Sequence, residues 1–203
     1  MRTRTVRRAT LLGLGLVASL GLLLSCGGQQ EQQSTAKALP KVDGVIEEGE
    51  YEQHLRIDQV NMDLYWTIAN DKIYFGLRSA AKGWLALGLD PTQGMKGADI
   101  IFGFVKDDQA TVLDEYAPSI SSHVPDTDLG GQDDLLQRAG REDSQGTTIE
   151  WVRRLLTGDL KDRSITAGRH VVMLAYSPSD DPTGYHGQAG KQRAIVFLDF
   201  FNP

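Results

Sequence analysis

From Met62 onward the apolar residues recur at every second position, and this rhythm is the strongest constraint on the fold. Met62, Leu64, Trp66 and Ile68 fall on one face of an extended chain. After a polar Asn70-Asp71 step, Ile73, Phe75 and Leu77 do the same. Successive side chains of a strand point to opposite faces, so period two reads as strand and the pair reads as a hairpin. Further strands are expected at Trp84–Leu89, Ala98–Val105, Thr111–Tyr116, Thr147–Val152, His170–Tyr176 and Arg193–Phe200. Short strands broken by Gly, Asp and Pro predict an all-β chain, an antiparallel sandwich of immunoglobulin-like type. Helical periodicity is confined to one short turn expected within Arg153–Leu160. No internal repeat and no second domain are apparent, and a single domain is expected over 42–203.

The N-terminal region follows a different logic. Arg2, Arg4, Arg7 and Arg8 precede an apolar run from Leu11 to Leu24, followed by the small residues Ser25, Cys26 and Gly27. That is the order of a secretory signal. The run is shorter than the roughly 20 apolar residues of a spanning helix. Leu23-Leu24-Ser25-Cys26 resembles a bacterial lipobox, which implies cleavage after residue 25 and a lipid on Cys26. An ordinary signal peptide with an incidental cysteine is the other reading. Cys26 is the only cysteine, so no internal disulfide can form. Gly27–Lys41, rich in Gln, has little to bury and is expected to be a flexible tether covering 26–41. The expected location is the bacterial cell envelope, lipid-anchored and extracytoplasmic. Gly27 in place of an aspartate after the cysteine favours the outer membrane where a cell has two.

Removing 1–25 leaves 203 − 25 = 178 residues and takes away four arginines, so the formal charge becomes (21 − 4) − 27 = −10. An acidic surface of this size argues against nucleic acid as a partner. No CxxCH is present, so covalent c-type haem attachment is excluded.

Two loops stand out. Asp90–Gly97 joins two strands and carries Met95 between Gly94 and Lys96-Gly97. A thioether in a Gly-rich loop either packs inward as a plug or acts as a soft ligand for haem iron or copper. Ser177–Lys191 carries His186 between Tyr185 and Gly187. Alone, such a histidine reads as a solvated loop residue. His54 and His170 read as structural or surface groups, and His123 as part of an exposed loop. Asp126, Asp128, Asp133 and Asp134 depart from EF-hand spacing, and a solvated loop is favoured over a calcium site.

The order of these elements carries a resemblance. Gly83-Trp84-Leu85-Ala86-Leu87-Gly88 followed by Gly94-Met95-Lys96-Gly97-Ala98-Asp99 is similar to the DOMON domain pattern. Asp43-Gly44 with Gly49-Glu50-Tyr51, Trp151, Thr157-Gly158-Asp159 and Tyr185-His186-Gly187 fit the same family. The resemblance covers roughly Val42 to Phe200 and implies an immunoglobulin-like sandwich. Cytochrome members hold non-covalent haem b through one methionine and one histidine. The resemblance therefore implies Met95 and His186 as axial ligands, with Trp84, Leu85, Phe102 and Tyr185 as apolar walls. Two protein ligands leave no open position, so electron transfer to a redox partner protein is implied, with no catalytic residue in this chain. A methionine–lysine pair with Lys191 is the alternative ligand set. A haem-free module for a sugar or another small ligand is the alternative function, and a redox accessory of a separate oxidoreductase is a third.

Overall fold

The computed structural model describes residues 37–181, 183, 186–187 and 191–203. The expected signal peptide, Cys26, most of the tether and Tyr185 lie outside them. Lys37 Nζ donates to the Tyr51 carbonyl and the Lys41 amide to Glu50, so the domain's bonding begins five residues before Val42.

Eleven strands occur among the described residues, with single 3-10 turns at Asp58–Val60 and Asp126–Leu129. One antiparallel sheet runs in the order β1 (Gln53–Ile57), β2 (Met62–Ala69), β3 (Lys72–Ser79), β9 (Gly146–Arg154), β8 (Gln137–Asp143). The second runs β11 (Arg193–Leu198), β10 (His170–Tyr176), β4 (Leu85–Leu89), β5 (Asp99–Lys106), β6 (Gln109–Tyr116), β7 (Val124–Pro125). Every pairing is antiparallel. The sandwich expected from the alternation is therefore present. The short helix expected within Arg153–Leu160 is not: β9 runs on through Arg154, and no helix follows it.

The main core fills the space between the sheets. Met62, Leu64, Trp66, Phe75, Leu77, Ile149 and Trp151 of the first sheet meet Leu85, Leu87, Ile101, Val112, Val172 and Leu174 of the second. Phe75 stacks on Trp151 at 5.0 Å and meets Phe200 edge-on at 5.5 Å. Truncating one such large side chain costs about 3–5 kcal/mol, because the cavity left behind does not collapse.

The outer face of the first sheet is closed by the chain before β1. Val42, Ile46 and Tyr51 pack there with Tyr65, Tyr74 and Val152. Beneath them the fully buried Glu150 accepts hydrogen bonds from Tyr51 Oη at 2.6 Å, the Gly44 amide at 2.7 Å and the Asp43 amide at 3.2 Å. The Asp43-Gly44 and Tyr51 signature thus wraps a buried carboxylate.

Candidate functional site

The outer face of the second sheet departs from the usual sandwich, in which outward positions are polar. On β4 the residues Leu85, Leu87 and Leu89 point into the main core. Trp84 and Ala86, in the opposite phase, belong to a second apolar cluster with Ile100, Phe102 and Phe104 of β5 and Met173 and Ala175 of β10. Leu85 is therefore not a wall of any outer site, as had been expected: it is one residue out of phase with Trp84, and a one-residue step reverses the face.

A cavity of about 640 Å³ lies over this cluster. Trp84, Ala86, Gly88, Ile100, Met173 and Ala175 supply its apolar floor. Ala86, Gly88 and Ala175 are short, which is what leaves room between the bulkier Trp84 and Met173. Such a volume is within the roughly 300–1,000 Å³ range of ligand pockets.

Two loops bring the candidate ligands to the rim. Met95 lines the cavity from the loop between β4 and β5. That loop is a tight hairpin: the Thr92 amide donates to the Lys96 carbonyl at 2.7 Å and the Ala98 amide to the Met95 carbonyl at 2.9 Å. Its far side is tied to the segment after β6 through the Met95 amide to Ile120 and the Gly97 amide to Ala117. His186 lines the same cavity from the loop between β10 and β11, with its ring edge-on to Trp84 at 6.0 Å and 85°. The Trp84 amide donates to the Ser179 carbonyl, and the Ser177 amide to the Trp84 carbonyl. Gly83 makes this docking possible. Its φ is +129°, and a Cβ there would stand 2.2 Å from the Ser177 carbonyl oxygen. The Gly-Trp pair therefore has two tasks: the glycine admits the histidine loop and the tryptophan walls the cavity.

Burial, with Arg193 and His123 nearby, holds His186 below the ordinary histidine range. A neutral imidazole, the metal-ligating form, is favoured at neutral pH. Phe102 stands behind Trp84 at 5.1 Å. Lys191 is exposed in the turn before β11 and is absent from the lining of this cavity.

His123 requires a correction. Its polar neighbours suggest an exposed loop, but its ring lies 5.5 Å from Phe102 and lines the cavity. Its Nδ1 is hydrogen-bonded to the buried Glu115, so any further ligand must be taken by Nε2. Met173 is also new to the site: its strand was evident in the sequence, but the face it occupies was not. The other two histidines are structural. His170 is buried and bonded to Asp90 at 2.7 Å, and His54 pairs with Asp63 and stacks on Tyr65 at 4.4 Å.

A cavity on the outer face of one sheet, with thioether and imidazole groups over apolar walls, marks a β-sandwich domain with a candidate ligand site. The DOMON domain family matches this chain over residues 58–177. The chain belongs to the DOMON family. Human DBH-like monooxygenase protein 1 is 31% identical over 145 residues, which is 69% of this chain and 22% of that protein. Mouse DBH-like monooxygenase protein 2 is 32% identical over 114 residues, 54% of this chain and 17% of its own length. The chain thus spans about a fifth of these relatives. The fold is shared with the cytochrome b domain of pyranose dehydrogenase from Coprinopsis cinerea, at TM-score 0.55 and 14% identity, covering 73% of this chain and 82% of that one. It is shared also with the cytochrome domain of Myriococcum thermophilum cellobiose dehydrogenase, at TM-score 0.51 and 13% identity, covering 72% and 80%.

The residues present suit a haem. Met95 and His186 are competent iron ligands in one cavity, the floor is apolar, and its short side chains leave space for a flat group.

Proposed function

We propose that this protein is a membrane-anchored, extracytoplasmic DOMON module that holds haem b non-covalently and passes electrons to a partner protein. The observation that carries this reading is the convergence of Met95 and His186, 91 positions apart in sequence, on one apolar cavity. Met95 and His186 would hold the iron, and Trp84, Ile100 and Met173 would wall the macrocycle. A haem ligated in this way supplies one-electron transfer at a raised potential. The protein's own part is to supply two fixed ligands, keep His186 neutral and exclude water from the floor. The names of the cytochrome-domain neighbours lend support. The basic, apolar, Leu-Leu-Ser-Cys order of the first 26 residues supports lipidation of Cys26 and residence in a bacterial envelope. A role as redox accessory to a separate oxidoreductase fits the same module.

A haem-free small-ligand module is the second reading, because the relatives matched by sequence are named as monooxygenases and not as cytochromes. Titration of the mature protein with haem separates the two. The first reading expects a stoichiometric complex with a low-spin, six-coordinate reduced spectrum. Met95→Ala should open a position for carbon monoxide and lower the potential, and His186→Ala should weaken haem retention more. Lys191→Ala should change neither. A wild type that takes up no stoichiometric haem refutes the proposal, and an effect of Lys191→Ala in place of His186→Ala refutes the ligand assignment.

A further inference from the structure

One end of the sandwich interior carries a concentration of buried acid that the outer cavity does not use. Asp99, the first residue of β5, and Asp114 of β6 both face inward, and Asp162 enters from the chain after β9. One carboxylate oxygen of each of the three lies within 4.8 Å of the others. A fourth carboxylate, Asp126 in the 3-10 turn after β7, is 1% exposed, and neither of its oxygens accepts a hydrogen bond. The carboxylates acting most strongly on it are Asp162 and Asp99, so it stands beside this group. One oxygen each of Asp99 and Asp114 also lacks a hydrogen bond.

Among the described residues, one fully buried cation faces these four acids. Arg153 of β9, 1% exposed, pairs with Asp99 and lies 3.4 Å from Asp162. The other charges around the cluster are Asp134, Asp159, Lys161 and Arg163, with Lys161 lying over the Tyr116 ring at 5.3 Å. Four buried carboxylates against one guanidinium leave three formal negative charges, and buried charge without a counter-charge is among the most costly features a fold can carry.

We propose that this cluster is a divalent-cation site of the calcium class, with Asp99, Asp114, Asp126 and Asp162 as its carboxylate ligands. Calcium takes oxygen ligands at about 2.3–2.6 Å, and carboxylate oxygens of Asp99, Asp114 and Asp162 drawn together within 4.8 Å of one another can share one such ion. The donor set is oxygen alone, which suits a hard cation and not zinc or copper. Magnesium dehydrates reluctantly and keeps several waters, so it suits an all-protein carboxylate cage less well. The sequence hid the site because its ligands come from four separate segments. Of the loop acids considered for calcium, Asp126 is buried beside the cluster, whereas Asp128 and Asp133 are exposed.

The site also touches the methionine loop. The Asp99 carboxylate accepts the Arg163 amide, and the Arg163 guanidinium holds the Gly97 carbonyl, two residues from Met95. An ion at Asp99 therefore tightens the end of that loop.

The test uses the whole mature protein, stripped with EDTA and titrated separately with calcium and magnesium chloride. Bound metal is counted by atomic emission, and thermal unfolding is followed in parallel. The expected result is one calcium per chain and a midpoint that rises with calcium and little with magnesium. Asp126→Asn should fold in EDTA with a midpoint no lower than wild type, because it removes an unpaired buried charge. It should lose at least tenfold in calcium affinity together with the calcium-dependent rise. Asp162→Asn, made in parallel, should lose the rise too. Failure of the wild type to take up stoichiometric calcium at millimolar concentration overturns the proposal. So does an equal response to magnesium, or an Asp126→Asn protein that keeps the full calcium effect.

Discussion

Replacing Glu150 by alanine tests how the segment before β1 is held on the first sheet. The substitution removes the acceptor of three hydrogen bonds. The Gly44 amide is buried and loses its partner outright, which costs about 2 kcal/mol. The Asp43 amide is partly buried and adds about 1 kcal/mol. Tyr51 keeps a second acceptor, the Phe75 carbonyl at 3.2 Å, so its loss is limited to about 1 kcal/mol. The total is about 4 kcal/mol, and for a domain of this size each kcal/mol moves the midpoint by about 2–4 °C, which gives a fall of about 8–16 °C. Thermal unfolding followed by circular dichroism measures it. A double-mutant cycle with Tyr51→Phe should return a coupling of about 1 kcal/mol. The sign with pH follows from burial, which lifts Glu150 from its usual range to about 7 despite its hydrogen bonds. Between about 4.5 and 7 the folded state holds the proton more tightly than the unfolded chain, so this residue's contribution to stability declines as pH rises through that window. Glu150→Gln should remove its share of the decline. A loss under about 1 kcal/mol for Glu150→Ala, or a coupling near zero, would refute the reasoning.

Gly83→Ala should cost about 2 kcal/mol or more in urea unfolding, because its Cβ collides with the Ser177 carbonyl in a conformation that disfavours side chains. The same change should weaken ligand retention by displacing the His186 loop, whereas a surface change such as Lys82→Ala should alter neither. Ala86→Trp should fill the cavity floor, leave stability within about 1–3 kcal/mol of wild type and abolish haem uptake in the titration described above. Retention through His186 requires neutral imidazole, and its pKa is depressed. Spectra recorded from pH 8 downward should therefore stay constant through the ordinary histidine range and change only below it.

The strands that could be read from the sequence, β2 to β6 and β9 to β11, are those in which apolar residues recur at alternate positions or in runs. Those that could not be read lie where that signal is missing. β8, Gln-Arg-Ala-Gly-Arg-Glu-Asp, is an edge strand without a large apolar residue, and β7 is two residues long and includes a proline. β4 was visible as a strand but not in its orientation, because both of its phases are apolar: Trp84 and Ala86 in one, Leu85, Leu87 and Leu89 in the other. Only pairing with β5 and β10 decides which phase faces the core, and that is why Leu85 was assigned to the wrong side. Arg153 shows the same limit from the polar side. A charged residue near a strand end reads as a surface group, and its inward direction follows from β9 continuing past Trp151. Its acidic partners come from β5, β6 and the chain after β9, so no local pattern announces them.

The two apolar phases of β4 also bear on the proposed ligand. A sheet that closes one core has no physical use for Trp84, Ile100, Phe102 and Met173 on its other face, where water would meet them. The first sheet solves the equivalent problem with its own chain, laying Val42, Ile46 and Tyr51 over its outer surface. The second sheet has two loops there, tied to it at Trp84 and Ala117, and they leave a cavity of about 640 Å³ between them. An apolar surface of that kind is stabilised by whatever fills it, at about 25 cal/mol for each Å² removed from water. A broad flat ligand would recover more of that energy on this short-chained floor than a small polar one. Filling the floor from the protein side, as in Ala86→Trp, should therefore stabilise the empty form relative to the ligand-bound one. That opposition between stability and binding separates a true ligand floor from a merely under-packed face, where the same substitution would change stability alone.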